Sequence, residues 1–407
     1  MKVIYRGDMT SPSGYSRAAR EHCRALIESG VNVVIDNHKH DTTTVKLDAF
    51  WSRELPSRIG GGNAPIKIWH ETPEFYQPNP GQLNVAMVAW ETSHIPDWDI
   101  GGTSRNNWVT QINKMDECWT FCNFAKKAMQ KSGVTVPIRV IPHPLDHETF
   151  HPIEKDKRIE LFDSSRRPLH DGWFKFVSVF QWTPRKDPFN LILAYLSEFS
   201  GDEEVALVLK TYLAQAGDLS MVRNQIENIK KGSKLPHKSP RIFLVPGLLT
   251  DQEMADLVRS ADATVFSTKG EGFCLPAAES LACGVPVIVP NGSAFTDYVT
   301  EDVGYLVRTH PEPVYGMPHI PWYYSSQLWH RIDIMDLRER MREAFTDRKA
   351  LQERAGRTAE AVSEFTTAKV GSQMREALES LLARQGKPPT RIERAFTRPA
   401  SSPVKGL

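Results

Sequence analysis

The chain has 407 residues, with a formal net charge of +1 and 24% charged residues, so no overall field would attract nucleic acid or anionic lipid. This length exceeds the roughly 250–300 residues that one hydrophobic core supports, so two domains are expected. No apolar run approaches the roughly 20 residues of a membrane span, and the first residues resemble a strand rather than a signal peptide. The five scattered cysteines favour reduced thiols. We therefore expect a cytoplasmic protein without an integral membrane segment, and peripheral membrane contact stays open.

The predicted secondary structure alternates between strand and helix in both halves of the chain. In the first half, the predicted strands are residues 3–5, 31–35, 66–69, 85–90 and 138–141. In the second half, they are residues 174–180, 205–210, 242–245, 263–267, 285–289 and 305–307. The predicted helices are residues 15–28, 188–199, 221–231, 251–260, 276–283 and 294–299, and the chain from 333 to 384 is predicted to be helical.

This alternation is typical of parallel sheets covered by helices on both faces. It predicts an α/β protein with two Rossmann-like domains, residues 1–160 and 172–360, joined by a charged linker near 152–172. The tail 386–407 has five Lys or Arg, one Glu and four Pro, and is predicted to be disordered. The binding crevice is expected between the domains, at the carboxyl ends of the strands. Neither a Gly-x-Gly-x-x-Gly turn nor a P-loop is present, so nicotinamide, flavin or P-loop nucleotide binding lacks its fingerprint.

Two glutamates are the most informative residues of the chain. Glu271 lies in the loop after a predicted strand, and Glu279 lies in the first part of the helix that follows. Pro276 suits the first helical position, because its missing N–H costs nothing there. The free N–H groups of such a helix start bind phosphate, whereas carboxylates repel phosphate and suit hydroxyl groups. A phosphate between two polyol sites describes a nucleotide sugar.

The same segment resembles the donor-site signature of retaining glycosyltransferases of the GT-B fold, the family 4 type (glycosyl transferases group 1). Cys274 replaces the usual glycine, one small residue for another. The matching positions are Glu271, Gly272, Phe273, Leu275, Pro276, Glu279, Ala282, Gly284, Pro286 and Val287.

The segments around Gly14 and Lys186 also resemble this family. Gly14 lies in a loop that resembles the one opening the first helix, where the backbone approaches the donor phosphate or the acceptor; a plain turn is the alternative. Lys186 matches the family lysine that neutralises the departing diphosphate, with Arg185 beside it. Gln181 holds the position of the usual arginine, and Arg185 would compensate for it.

Further segments of the chain carry candidate residues or resemble the family. Gly247 resembles the turn whose backbone contacts the nucleotide base, although a simple turn is an alternative. His70 follows a first-domain strand, where a family histidine reaches the donor sugar or the acceptor, and His94 is a rival for this role. Residues 141–146 resemble the hinge that closes the first domain, and His143 within them is expected to be structural.

The resemblance implies a retaining glycosyltransferase (EC 2.4 type) that moves a sugar from a nucleotide-diphosphate sugar to an acceptor hydroxyl, without a metal or another cofactor. It also implies that residues 361–385 form a helix that returns to the first domain. The catalytic candidates are Glu271, Lys186 and His70. The donor-binding candidates are Gly14, Arg185, Lys186, Gly247, Gly272, Phe273, Cys274, Leu275 and Glu279.

Several alternatives stay open at this point. A GT-B sugar-nucleotide epimerase would turn over the donor without an acceptor, and a non-catalytic sugar-nucleotide-binding protein would not turn it over at all. The acceptor is expected to be a glycan or a lipid-linked glycan, while protein or modified DNA remain alternatives; the neutral net charge disfavours nucleic acid. The donor sugar and base are not specified by these motifs.

Overall fold

Two six-stranded sheets, each with its strands parallel, form the two halves of the molecule. The computed structural model describes residues 1–11, 13–38, 47–153, 172–213 and 219–385. The first sheet has the strand order β2-β1-β3-β4-β5-β6, and the second has the order β12-β11-β10-β7-β8-β9. Both orders reverse direction beside the first strand of the half, the arrangement that opens a crevice at the carboxyl ends of the strands.

The N-terminal domain alternates strands and helices as the apolar pattern indicated. One face of its sheet is covered by α1 and α2, whose buried side chains pack with those of the central strands. Helices α3 and α4 cover part of the opposite face. The strands are β1 Lys2–Gly7, β2 Asn32–Asn37, β3 Ile66–His70, β4 Leu83–Met87, β5 Glu117–Thr120 and β6 Ile138–Val140. The helices are α1 Gly14–Glu28, α2 Ala49–Arg58, α3 Trp108–Ile112 and α4 Asn123–Ser132.

The C-terminal domain repeats this organisation. Its central strands are buried on both faces, which explains their almost uninterrupted apolar sequences. The strands are β7 Phe174–Gln181, β8 Val205–Tyr212, β9 Arg241–Val245, β10 Ala263–Val265, β11 Val287–Pro290 and β12 Gly304–Val307. The helices are α5 Pro188–Glu198, α6 Ser220–Ser233, α7 Asp251–Arg259 and α8 Leu275–Ala282.

The chain then forms a hairpin and a helical segment that returns to the first domain. The hairpin consists of β13 Thr309–Pro313 and β14 Leu328–Ile332, which pair antiparallel. The helices α9 Ile334–Thr346, α10 Arg348–Ala355, α11 Thr358–Ala361 and α12 Thr367–Gln385 follow. Helix α12 packs on α1, and Arg375 Nη1 donates to the carbonyl oxygen of Ser29 at 3.0 Å. The predicted return of the C-terminal helix is therefore confirmed.

Some parts of the sequence interpretation need correction, and others concern residues outside the described ranges. Strand β5 was not predicted, because it has only four residues and begins with a charged residue, the buried Glu117. The predicted helix 294–299 is a 3-10 turn, Ser293–Asp297. Pro276 is the second residue of α8 rather than the first, which still leaves its missing N–H harmless. The predicted linker from 154 onward and the predicted tail 386–407 lie outside the described residues.

Candidate active site

Neighbouring strands of the second sheet bring the predicted acid and its cations together. Strand β10 lies beside β7, so the loops that follow these strands meet at one sheet edge. The Glu271 carboxylate contacts Lys186 Nζ through Oε1, and its Oε2 lies 3.3 Å from Arg185 Nη1. The Glu271 side chain is only 7% exposed. The two cations therefore enclose a buried carboxylate at the carboxyl end of the sheet.

Arg185 also ties this loop to its surroundings. Its Nη1 donates to the carbonyl oxygen of Gly270 at 2.6 Å, and its own carbonyl oxygen accepts from the N–H of Lys269 at 2.8 Å. Its Nε lies 3.7 Å from Glu91 Oε1, on the N-terminal domain. Arg185 is thus an ion-pair partner of carboxylates on both sides of the domain contact.

The surroundings of Glu271 keep it ionised. Burial by itself would raise the pKa of this carboxyl, but Lys186 and Arg185 outweigh burial, and the pKa of Glu271 lies below its ordinary value. A charged carboxylate is a strong acceptor for hydroxyl donors. Glu271 can therefore act as a hydrogen-bond acceptor across the neutral pH range.

Helix α8 begins with the unpaired backbone donors that an anion requires. The structure contains no hydrogen bond from the backbone N–H groups of residues 272–275 to another described part of the chain. Cys274 precedes the helix in the left-handed region, with φ 70° and ψ 72°. Glycine adopts this conformation without strain, which explains why the family pattern has glycine there. Replacing it with cysteine is therefore more than an exchange of small residues.

Glu279 lies on α8 and faces the N-terminal domain. Its Oε1 lies 2.7 Å from Nη2 of Arg17 on α1, and the Glu279 side chain is 2% exposed. Burial raises the pKa of the Glu279 carboxyl above its ordinary value, and Arg17 opposes this rise. The second predicted acid thus has its cationic partner on the opposite domain.

The donor-site loop packs directly against the end of the first sheet. A Cβ atom added to Gly272 would lie 3.3 Å from the backbone nitrogen of Trp90. The Phe273 ring lies 4.8 Å from the ring of His143, and the Phe273 carbonyl oxygen accepts a hydrogen bond from Tyr298. Glu271 and Glu279 are therefore both at the contact between the domains, as the sequence interpretation required.

His70 is completely buried at the end of β3. Its Nδ1 is 2.6 Å from the hydroxyl oxygen of Tyr5, and its ring lies 4.8 Å from that of Tyr15. Its Nε2 has no hydrogen-bond partner among the described residues. The Tyr5 hydroxyl also lies 3.7 Å from the Met87 thioether, so it can pair with either tautomer of His70, donating to Nδ1 or accepting from it.

The rival histidine lies in a loop held by several hydrogen bonds. His94 Nδ1 lies 3.0 Å from Ser93 Oγ, and its carbonyl oxygen accepts from Trp90 and Gln327. Its ring lies 5.6 Å from that of Tyr324. His143 is buried, with its ring centroid 4.0 Å from that of Phe121, in keeping with a structural position.

The remaining candidates differ in how closely the structure surrounds them. Gly14 is exposed at the start of α1, and an added Cβ would meet no atom within 4 Å. Ser13 caps this helix by accepting from the N–H of Ser16, the plain-turn alternative named above. Gly247 has φ +78° after β9, a conformation that favours glycine, and its carbonyl oxygen accepts from Lys210 Nζ at 2.5 Å. Gln181 ends β7 and pairs in register with Tyr212 of β8.

Three residues at this site were missed in the sequence. Arg17 is three positions after Gly14, and its helical spacing alone does not indicate a partner 262 positions away, at Glu279. Glu91 directly follows a predicted strand, which is a detectable signal for a residue at the crevice. Tyr323 donates a hydrogen bond to the Glu91 carboxylate. The sequence did not indicate this role, because Tyr323 lies in a segment without a regular apolar pattern.

Tyr323 belongs to a segment that we call the arm, residues 314–327 between β13 and β14. The arm and the start of β14 reach from the C-terminal domain to the N-terminal domain. The N–H of Ser93 donates to the carbonyl oxygen of Leu328 at 3.1 Å, and Gln327 Nε2 donates to that of His94 at 3.2 Å. The arm therefore bridges the two domains beside the ion pairs of Arg185.

Comparison with known families agrees with this arrangement. The family described as Glycosyl transferases group 1 matches residues 174–313, which include β7 to β13 and the Glu271 loop. A GDP-mannose-dependent alpha-(1-6)-phosphatidylinositol dimannoside mannosyltransferase of Mycobacterium tuberculosis is 39% identical over 298 residues, 72% of this chain and 68% of that protein. The chain therefore belongs to the group 1 glycosyltransferase family, and it is a glycosyltransferase.

Other relatives are more distant. An MMP alpha-(1->4)-mannosyltransferase of Mycolicibacterium hassiacum is 27% identical over 210 residues, 39% of this chain and 51% of that protein. Sucrose-phosphate synthase from Thermosynechococcus elongatus superimposes with a TM-score of 0.66 at 14% identity, over 94% of this chain and 100% of that one. Anabaena HepE in complex with UDP and glucose gives 0.63 at 13% identity, over 93% and 100%. The expected GT-B fold is thereby confirmed.

Neither a metal cluster nor a membrane helix is found in the ranges that the structure describes. No group of three or more His, Cys, Asp or Glu side chains there could hold a metal ion. No helix there is both long and apolar enough to cross a membrane.

Proposed function

We propose that this glycosyltransferase moves a hexose from a nucleotide-diphosphate sugar to a hydroxyl of a glycan or lipid-linked glycan, with retention of anomeric configuration and without a metal ion. The observation that carries the proposal is the start of α8. Its unpaired backbone N–H groups lie between Glu271 and Glu279, with Lys186 and Arg185 beside Glu271. This arrangement of donors and charges is complementary to a diphosphate that carries one polyol on each side.

The chemistry follows from the charges that develop as the bond breaks. When the bond between the sugar and the diphosphate breaks, the sugar becomes positive and the leaving diphosphate becomes more negative. Lys186, Arg185 and the α8 N–H groups would stabilise that negative charge. In a front-side attack, the leaving phosphate oxygen would accept the proton of the acceptor hydroxyl as the new glycosidic bond forms. No separate general base is then required.

The side chains would divide the recognition of the donor. Glu279 would accept hydrogen bonds from the ribose hydroxyls, and Glu271 would accept them from the sugar hydroxyls. His70 would form a hydrogen bond through Nε2 with the donor sugar or the acceptor, because that nitrogen has no partner among the described residues. The glycines Gly14 and Gly247 would allow close backbone approach to the phosphate or acceptor and to the base.

The relatives favour mannose as the sugar. The relative with 39% identity is named as GDP-mannose-dependent and acts on a phosphatidylinositol mannoside, and the relative with 27% identity is also a mannosyltransferase. We therefore propose GDP-mannose as the first donor to test and a mannosylated lipid as the first acceptor. UDP-sugars are the principal alternatives, since structures of the same fold contain UDP.

A thermal-shift panel tests the donor. GDP-mannose, GDP-glucose, UDP-glucose and UDP-N-acetylglucosamine are compared with free mannose, and a ligand at a hundredfold excess over its dissociation constant adds about 2.7 kcal/mol of stability. We expect one of the nucleotide sugars to raise the melting temperature and Glu279→Gln to reduce the rise. Absence of any shift with all four nucleotide sugars would contradict the proposal.

Turnover separates the alternatives. With a phosphatidylinositol mannoside acceptor, we expect release of the nucleoside diphosphate that depends on the acceptor, and an α-linked product by proton NMR when the donor is α-linked. Activity that persists in EDTA would support the absence of a metal. Conversion of the donor without an acceptor would instead indicate an epimerase, and binding without turnover of any acceptor would indicate a binding protein.

A further inference from the structure

Arg17 is at the centre of a cluster of carboxyl groups where the two domains meet. Its Nη2 lies 2.7 Å from Glu279 Oε1 on α8 and 3.4 Å from Asp251 Oδ1 on α7. Its guanidinium also interacts with Glu21 on α1 and with Asp146 after β6. One cation from the N-terminal domain thus faces carboxyl groups from both domains.

Arg17 is the cation that balances the negative charge of Glu279 in the described chain. In the described chain, no other cation forms an ion pair with Glu279, whereas Asp251 and Asp146 both oppose its negative charge. Arg17 Nη2 contacts Oε1 of the carboxylate. The orientation of the Glu279 carboxylate is therefore held from the N-terminal domain.

The guanidinium is itself held in place. It lies over the Phe150 ring at 5.3 Å from the centroid, and its side chain is 22% exposed. Although burial lowers the pKa of Arg17, the carboxylates of Glu279 and Asp251 raise it further, so it remains a cation. A fixed cation beside a buried carboxylate favours the ionised form of that carboxylate.

We propose that Arg17 is a positioning residue for the donor's ribose: across the domain contact, it keeps Glu279 negatively charged and oriented for the two ribose hydroxyls. This inference rests on the proposed role of Glu279 in the donor site. As a consequence, the nucleoside is recognised fully only when the two domains are in contact. Glu279, which accepts the hydrogen bonds of the ribose hydroxyls, is on the C-terminal domain, and Arg17, which keeps Glu279 ionised, is on the N-terminal domain.

The test measures recognition of the ribose hydroxyls as a function of pH. The dissociation constants of GDP and of 2′,3′-dideoxy-GDP are compared from pH 5 to 9, with UDP and 2′,3′-dideoxy-UDP as a second pair. In the unmodified protein, we expect GDP to bind about tenfold or more tightly than its dideoxy analogue once Glu279 is ionised, since hydrogen bonds to a charged group are the strong ones. The midpoint of the pH range over which this preference is lost reports the ionisation of Glu279.

Arg17→Gln should move that midpoint to higher pH by about one unit or more, because an opposite charge at this distance lowers a carboxyl pKa by about 1–3 units. Arg17→Lys keeps the positive charge, so it should move the midpoint much less than Arg17→Gln does. Asp251→Asn should move the midpoint in the opposite direction, since it removes a negative charge that opposes Glu279. The matched control is Arg24→Gln on the same helix, whose partner is Glu28, and it should leave the midpoint unchanged.

The outcomes distinguish this inference from the proposed function. If Glu279→Gln retains the full preference for GDP over dideoxy-GDP, the role of Glu279 itself is wrong. If Glu279→Gln abolishes the preference at every pH but Arg17→Gln and Asp251→Asn leave the midpoint in place, the role of Arg17 alone is wrong. Opposite shifts in the Arg17 and Asp251 variants would support the inference. If Arg17→Gln fails to fold, Arg17→Lys provides the test, because its shorter side chain should move the midpoint in the same direction by a smaller amount.

Discussion

The backbone carbonyl oxygen of Glu91, on the N-terminal domain, lies so close to Gly270, on the C-terminal domain, that a Cβ atom at Gly270 would be 2.2 Å from it. Backbone atoms on both sides make this contact, so no side chain can turn aside to relieve a clash. Gly270 also receives a hydrogen bond from Arg185 at its carbonyl oxygen. The two domains therefore meet, beside the Glu271 site, through a contact that requires the absence of a side chain.

Gly270→Ala should disturb the approach of the domains while leaving each domain folded. We expect kcat/KM to fall by at least tenfold, because a misplacement of about 1 Å in a catalytic arrangement can cost about a hundredfold. Far-ultraviolet circular dichroism should be unchanged. The matched control is Gly232→Ala near the end of α6, where an added Cβ meets no atom within 4 Å and alanine suits the helix. Equal activity in the two variants would contradict the importance of this contact.

Lys186→Met should slow the chemical step more than it weakens donor binding. The lysine is expected to stabilise the charge that develops on the leaving diphosphate, and loss of one such group typically costs roughly 10²–10³-fold in kcat. Steady-state kinetics with varied donor would separate kcat from KM. Lys230→Met is the control, because Lys230 forms an ion pair with Glu227 on the surface of α6. A change confined to KM would assign Lys186 to ground-state binding only.

The sequence predicted those parts of the site that adjacent strands bring together. Lys186 and Glu271 each follow an apolar strand, and parallel strands end at the same sheet edge, so their proximity agrees with the fold class, whereas their roles came from the family resemblance. Most strand positions were predicted for the same reason, since buried parallel strands have distinctive apolar runs. The short β5 was missed because it has only four residues and its first residue, Glu117, is charged and buried in an ion pair with Arg139.

The contacts between domains could not be predicted in this way. Arg17 on α1 and Glu279 on α8 meet across the domain contact, and no periodicity in either helix specifies its partner. Tyr323 lies in the arm, whose path depends on packing against aromatic side chains such as Trp90, 6.1 Å away between ring centroids. The left-handed conformation of Cys274 was not predicted, although the glycine that the family has at this position is a sign of positive φ.

Tyr323→Phe should weaken the attachment of the arm to the N-terminal domain. The hydroxyl group donates to the Glu91 carboxylate, whose side chain is only 17% exposed, and removal of a hydrogen bond to a charged group costs about 1.5–3 kcal/mol. The thermal midpoint should fall by roughly 2–4 °C for each kcal/mol lost. Tyr315→Phe, at a residue that is 60% exposed in the same arm, should change the midpoint little. Identical midpoints in both variants would show that the Glu91 contact contributes nothing to stability.

The cluster of His22, His70 and His143 should make the protein sensitive to mild acid. Burial lowers the pKa of His22 to about 4 and those of the other two well below their ordinary value. Unfolded histidine titrates near 6.5, so between about pH 4 and 6.5 the unfolded chain binds more protons than the folded one. Stability should therefore be fully present above pH 6.5 and decrease as the pH falls, with His22 alone accounting for roughly 3 kcal/mol at the acid end.

His143→Leu tests this sign directly. Its Nδ1 has no hydrogen-bond partner in the described chain, so leucine removes a titrating group without breaking a hydrogen bond at that atom, although it loses the ring contact with Phe121. We expect the variant to be equal to or slightly less stable than the unmodified protein at pH 8. At pH 5 its relative stability should improve by at least about 1 kcal/mol, close to the value of one pKa unit. Chemical denaturation at the two pH values measures the difference, and His319→Leu at an exposed position is the control. A stability difference that is the same at both pH values would mean that His143 is not forced to stay neutral by its burial.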